Sequence, residues 1–120
     1  GMILFRAERA REILRFYQDY LRSAPDALGT IVSLRKAPPA PFIPASLHGA
    51  PVVGIITCFC GDNEDGEIAL RPFRDLRPDL YAVKPRPFVE FQAMLDPTVP
   101  PGWHYYWKSH YLPPLSDAAM

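Results

Sequence analysis

Apolar and polar positions change their period several times along the chain. Met2–Phe5 is a short apolar run and reads as a first strand. Over 6–23 the period becomes helical. Ala10, Ile13, Leu14, Phe16, Tyr17, Tyr20 and Leu21 share one broad arc, with Arg11, Glu12, Arg15, Gln18, Asp19 and Arg22 opposite. The spacing predicts a helix that lays one face on a sheet and stops before Pro25. Leu28–Lys36 reads as a second strand, and 37–50 as a Pro-rich loop, long for a tight hairpin. Pro51–Cys60 is apolar almost throughout, which predicts a central strand covered on both faces. Gly61-Asp62-Asn63 is a turn with Asp62 or Asn63 placed to cap a helix, whose first turn carries Glu64, Asp65 and Glu67. That helix runs to about Arg77, with Pro72 inside it and Pro78 after it.

Residues 79–86 predict a further long strand, limited by Pro85 to an edge or an end. Pro87 opens a short helix over 87–95. The loop 96–102 leads to Trp103-His104-Tyr105-Tyr106-Trp107-Lys108-Ser109-His110-Tyr111, bracketed by Gly102 and Pro113-Pro114. Its aromatic content predicts a last strand. Trp103, Tyr105, Trp107, Ser109 and Tyr111 would then form a core-facing row, and His104, Tyr106, Lys108 and His110 the other face. The order is (β)αββαβαβ. Its first six elements match the βαββαβ unit, so the expected fold is α+β: a ferredoxin-like antiparallel sheet with helices on one face. The second face should then meet solvent, a ligand or another chain.

Composition narrows the function. One domain is expected from 120 residues, of which 48% are hydrophobic and 22% charged. Thirteen basic and 13 acidic residues cancel, which argues against nucleic-acid binding. No apolar run is long enough to span a bilayer and no signal peptide is visible, so a cytoplasmic protein without a membrane partner is expected. Gly1 before Met2 reads as a scar of tag removal, with Met2 as the natural start. Cys58 and Cys60 sit two apart on a strand, a poor spacing for a disulfide, and read as small buried thiols of a reduced compartment.

Catalytic signatures are few. No G-x-G-x-x-G, P-loop, nucleophile elbow or zinc-spaced His/Cys set occurs. The acidic run 62–67 lacks calcium-loop spacing and fits a helix start. A His/Tyr/Lys row at 104, 106, 108 and 110 has the residue types for a general acid or base beside an aromatic wall. A merely solvated strand face has the same pattern. Arg35, Lys36, Arg71, Arg74 and Arg77 read as solvated surface.

Several phrases carry a resemblance. They are Leu14–Tyr20 with Ser23–Asp26, Ala37–Phe42 (APPAPF), Gly61-Asp62 with Gly66-Glu67 and Leu70–Pro72, Pro87 with Gln92–Asp96, and Tyr105–Leu112 (YYWKSHYL). In this order they resemble one segment of the FAD-linked oxidases of the berberine-bridge-enzyme-like and 6-hydroxy-D-nicotine-oxidase-like group. The resemblance covers almost the whole chain. It implies the first part of a substrate domain, whose antiparallel sheet covers the flavin ring. It implies FAD for the complete enzyme. The Gly-rich flavin-binding region is missing from this chain, so no cofactor is expected on it alone. The resemblance makes Tyr106 and Lys108, flanked by His104 and His110, the expected lining of the substrate pocket, with Arg35 from a neighbouring strand. No residue aligns with a known catalytic base.

Three functions follow as expectations. The first is a substrate-domain fragment or subunit, inactive without a separate flavin-binding subunit. The second is a self-sufficient homodimeric α+β-barrel-like enzyme or binding protein. The third is a non-catalytic interaction module.

Overall fold

The computed structural model describes residues 1–111 and 114–116, with the side chain of Thr98 left out. Four strands form one antiparallel sheet: β1 (Met2–Arg6), β2 (Leu28–Lys36), β3 (Pro51–Phe59) and β4 (Leu80–Ala82). Helix α1 (Ala10–Tyr20) links β1 to β2, and α2 (Asn63–Asp75) links β3 to β4. A short α3 (Phe88–Ala93) follows. The strand order β2-β3-β1-β4, antiparallel throughout, is that of the βαββαβ unit. The fold is therefore α+β and ferredoxin-like, as the periodicity implied.

The register explains the two cores. Ile3 faces Ile55, Phe5 faces Val53 and Leu28 faces Phe59, and this face carries the helices. Ile13 of α1 and Leu70 and Phe73 of α2 complete that cluster. Phe73 meets Phe16 and Tyr20 edge-on, at 5.4 and 4.9 Å between ring centroids. Tyr20 donates its hydroxyl to the Ala69 carbonyl at 2.5 Å, and burial pushes its pKa up. Arg9 ties the start of α1 to the end of α2. It pairs with Glu12 at 2.6 Å and donates to the Leu76 carbonyl at 2.9 Å. Arg74 and Arg77 are more than solvated surface. Arg74 pairs with Glu67 at 2.7 Å and sits over the Tyr81 ring at 4.8 Å. Arg77 holds φ at 52°, the left-handed turn that ends α2.

The opposite face is not bare. The segment 37–50 folds back over half of it and buries Ala37, Ile43 and Leu47 against Leu4 and Val52. Main-chain bonds hold it there, from Ala37 N to Ala50 O and from Gly49 N to Ala37 O, both 2.9 Å. Gly49 has φ at 73°, which a glycine adopts without strain. Arg6 clamps the segment from below, donating to the Ser46 carbonyl at 3.2 Å. Ile31, Ser33 and Arg35 of β2 remain on the uncovered half.

Three expectations for the elements fail. The first helix is shorter than 6–23, because residues 7–9 form a separate 3-10 turn and 21–23 a turn. The strand expected over 79–86 shrinks to Leu80–Ala82, since Pro85 and Pro87 supply no N–H to a ladder. The aromatic stretch 103–111 is not a strand. It pairs with neither edge of the sheet, and strand propensity without a partner edge makes no strand. Its expected core row is exposed instead, Trp103 and Trp107 included. Leu112, the last residue of the Tyr105–Leu112 phrase, and Pro113 of the bracketing pair lie outside the described residues.

Candidate functional site

A cavity lies where β3 hands over to α2. It encloses about 360 Å³. The end of β3 contributes Thr57, Cys58 and Phe59, and the turn contributes Cys60, Gly61 and Asp62. The first turns of α2 add Asn63, Gly66, Glu67 and Leu70. The other wall is the extended run Val83–Arg86, followed by Phe88 and Phe91 of α3. Antiparallel pairing through β1 brings these two distant stretches to one end of the sheet.

Local sequence explains the shape. Gly66 lies inside a helix, where glycine costs about 1 kcal/mol relative to alanine. A Cβ at that position would come within 3.2 Å of the Phe59 ring, so the glycine lets α2 close down on β3. The prolines at 85 and 87 keep Lys84 and Arg86 on an extended backbone, off any sheet. Arg86 is half-buried. Its Nη1 lies 4.0 Å from Met94 Sδ, and its Nε has no hydrogen-bond partner among the described residues.

The polar lining is mixed in charge. Lys84 and Arg86 face a cavity that also holds Asp62 and Glu67, the latter engaged with Arg74. The Gly1 ammonium donates to the Thr57 carbonyl at 2.6 Å, and burial, then the nearby Arg86 charge, lowers its pKa to about 6. Thr57 is 1% exposed and its hydroxyl has no partner among the described residues. Cys58 and Cys60 bring their Sγ atoms to 3.9 Å. Burial pushes the Cys58 thiol up, with the hydrogen bond to Cys60 as the next cause. Among the described residues no three His, Cys, Asp or Glu side chains gather to hold a metal ion.

The residues singled out by sequence lie elsewhere. His104, Tyr106, Lys108 and His110 are exposed on the irregular segment 103–111. Lys108 Nζ sits over the Tyr106 ring at 5.6 Å, and Tyr105 donates to the Pro100 carbonyl at 2.7 Å. Arg35 lies on β2, on the uncovered half of the second sheet face. There it borders a hollow of only about 20 Å³, with Ser33, Gly54 and Ile56. Neither the cavity nor the hollow takes a residue from 103–111.

Sequence reasoning passed over Lys84, Arg86, Phe88 and Phe91, which sit more than 20 positions from the cysteines. The one local signal was the proline spacing, which sets cations on a stretch too stiff to join the sheet. Among the described residues no helix is long and apolar enough to cross a membrane. Compared with models of known families the chain matches none, and no curated protein is significantly similar to it.

Proposed function

We propose that this chain is a substrate-domain fragment or subunit of an FAD-dependent oxidoreductase, inactive until it meets a separate flavin-binding domain. One observation carries the reading. The most specific phrase of the resemblance, Tyr105–Leu112, begins in a segment whose side chains are turned outward. Tyr106 is 81% and Trp107 79% exposed. Large aromatic side chains left in water are the mark of a surface made for a partner. The half-covered sheet face adds a second surface of this kind. In the complete enzyme His104, Tyr106, Lys108, His110 and Arg35 would line the substrate side of the flavin.

The reading assigns FAD to the partner. Hydride chemistry belongs to the cofactor, and the protein must bind and orient it. The test uses FAD and the purified chain. After mixing and gel filtration, no flavin absorption should travel with the protein. A secondary alcohol or amine should be turned over only when a flavin-binding domain of the same enzyme group is added. Stoichiometric flavin on the isolated chain, with turnover, would overturn the proposal.

Taken apart from the resemblance, the exposed aromatics also fit a non-catalytic docking module. Retained binding to the flavin-binding domain without any turnover would select it. A barrel-like homodimer closed through the second sheet face is less favoured, because 37–50 already occupies half of that face.

A further inference from the structure

We propose that Cys58 and Cys60 form a reversible dithiol/disulfide pair in the wall of the β3–α2 cavity, oxidised by exchange with a low-molecular-weight disulfide. The pair stands independently of the flavin reading. Two residues apart on a regular strand, thiols point the same way but are poorly placed to join. Here the strand ends at Phe59, and Cys60 lies beyond it. Cys60 N donates to the Ala27 carbonyl at 2.9 Å, and Gly61 follows directly. The two Sγ atoms consequently lie 3.9 Å apart. A disulfide needs about 2.05 Å, so the closure required is about 2 Å. Side-chain rotation with a small shift of the Cys60 backbone covers it. Opposite Cys58 in the ladder stands Gly29, which puts no side chain in the way.

The two thiols differ in access. Cys60 is exposed and Cys58 half-buried. Lys84 and Arg86 line the same cavity and attract the carboxylates of a glutathione-type disulfide. The Cys60 thiolate attacks one sulfur of the reagent. One new S–S bond forms, the reagent's S–S bond breaks, and one thiolate leaves. Cys58 then gives its proton to solvent and attacks Cys60 Sγ, expelling the second thiolate. Two protein thiols are oxidised and one small disulfide is reduced to two thiols. The second step is intramolecular, so the mixed disulfide should be short-lived. The small ring on a strand-like backbone makes the bond strained and easily reduced, the property of regulatory rather than structural disulfides.

The test is mass spectrometry of the intact chain after incubation with oxidised glutathione. The unaltered chain should lose the mass of two hydrogen atoms and carry no adduct. Dithiothreitol should restore it. Cys58→Ser and Cys60→Ser should each keep one glutathione on the remaining thiol, with the adduct slower to form on Cys60→Ser. A persistent adduct on the unaltered chain would overturn the proposal. So would a disulfide-linked dimer in place of the internal bond, or no reaction at all.

Discussion

Thr57 lies opposite Thr30 in the β2–β3 ladder, yet the two hydroxyls fare differently. Thr30 Oγ1 is 2.8 Å from the Tyr17 hydroxyl, while Thr57 Oγ1 is buried with no partner. A buried hydroxyl without a partner loses its water and gains nothing for it. Valine keeps the branched shape and the strand preference and removes that burden. Thr57→Val should therefore stabilise the chain by about 1 kcal/mol. The urea midpoint would rise with an unchanged slope, the sign of a stability change alone. A fall in the midpoint would mean that the hydroxyl is satisfied from the cavity. Sequence could not show this, because Thr57 reads as an ordinary polar residue in an apolar run. Only the pairing of Thr30 with Tyr17 leaves it alone.

At the scale of elements, chain order and strand pattern were legible wherever a local rule met a tertiary partner. Leu28–Lys36 folds over the expected residues because its alternation suits a sheet with one covered face. Pro51–Phe59 lies in the middle because it is apolar on both faces. The stretch 103–111 was misread, and for 37–50 the loop was read but its packing was missed. The stretch 103–111 has strand-forming residues and no edge to join. The segment 37–50 has loop-forming prolines, yet packs as a second core layer. Proline content reports backbone stiffness, whereas burial of Ile43 and Leu47 depends on where β2 and β3 aim the loop. The role of 37–50 is testable. Leu47 is 1% exposed, so Leu47→Ala should cost about 2–4 kcal/mol, as for a core leucine. A loop lying loosely on the surface would lose less than about 0.5 kcal/mol. Urea unfolding of the two chains separates these outcomes. The cavity was illegible for a related reason: its walls come from 57–70 and 83–91, and only the β1–β4 pairing brings them together.

At the scale of the whole molecule, the aromatic segment stands outside both core clusters. Among the described residues neither core cluster takes a residue beyond Val83. The noted contacts of Tyr105 and Lys108 stay within 100–108. A chain ending after Gly102 should therefore unfold within about 0.5 kcal/mol of the full chain. Its surface should behave differently. Burying apolar area is worth about 25 cal/mol per Å², so a cluster of exposed Trp and Tyr side chains favours any association that covers it. The full chain should self-associate at high micromolar concentration in light scattering, and the shortened one should remain a monomer. Trp107→Ala should fall between the two, since it removes one of the largest exposed rings and leaves the backbone intact. If the shortened chain associates as strongly as the full one, the contact surface is the uncovered half of the sheet around Ile31. If it unfolds far more easily, the segment belongs to the fold. Equal stability with lost association is the outcome expected of a domain whose aromatic segment serves a surface beyond its own core.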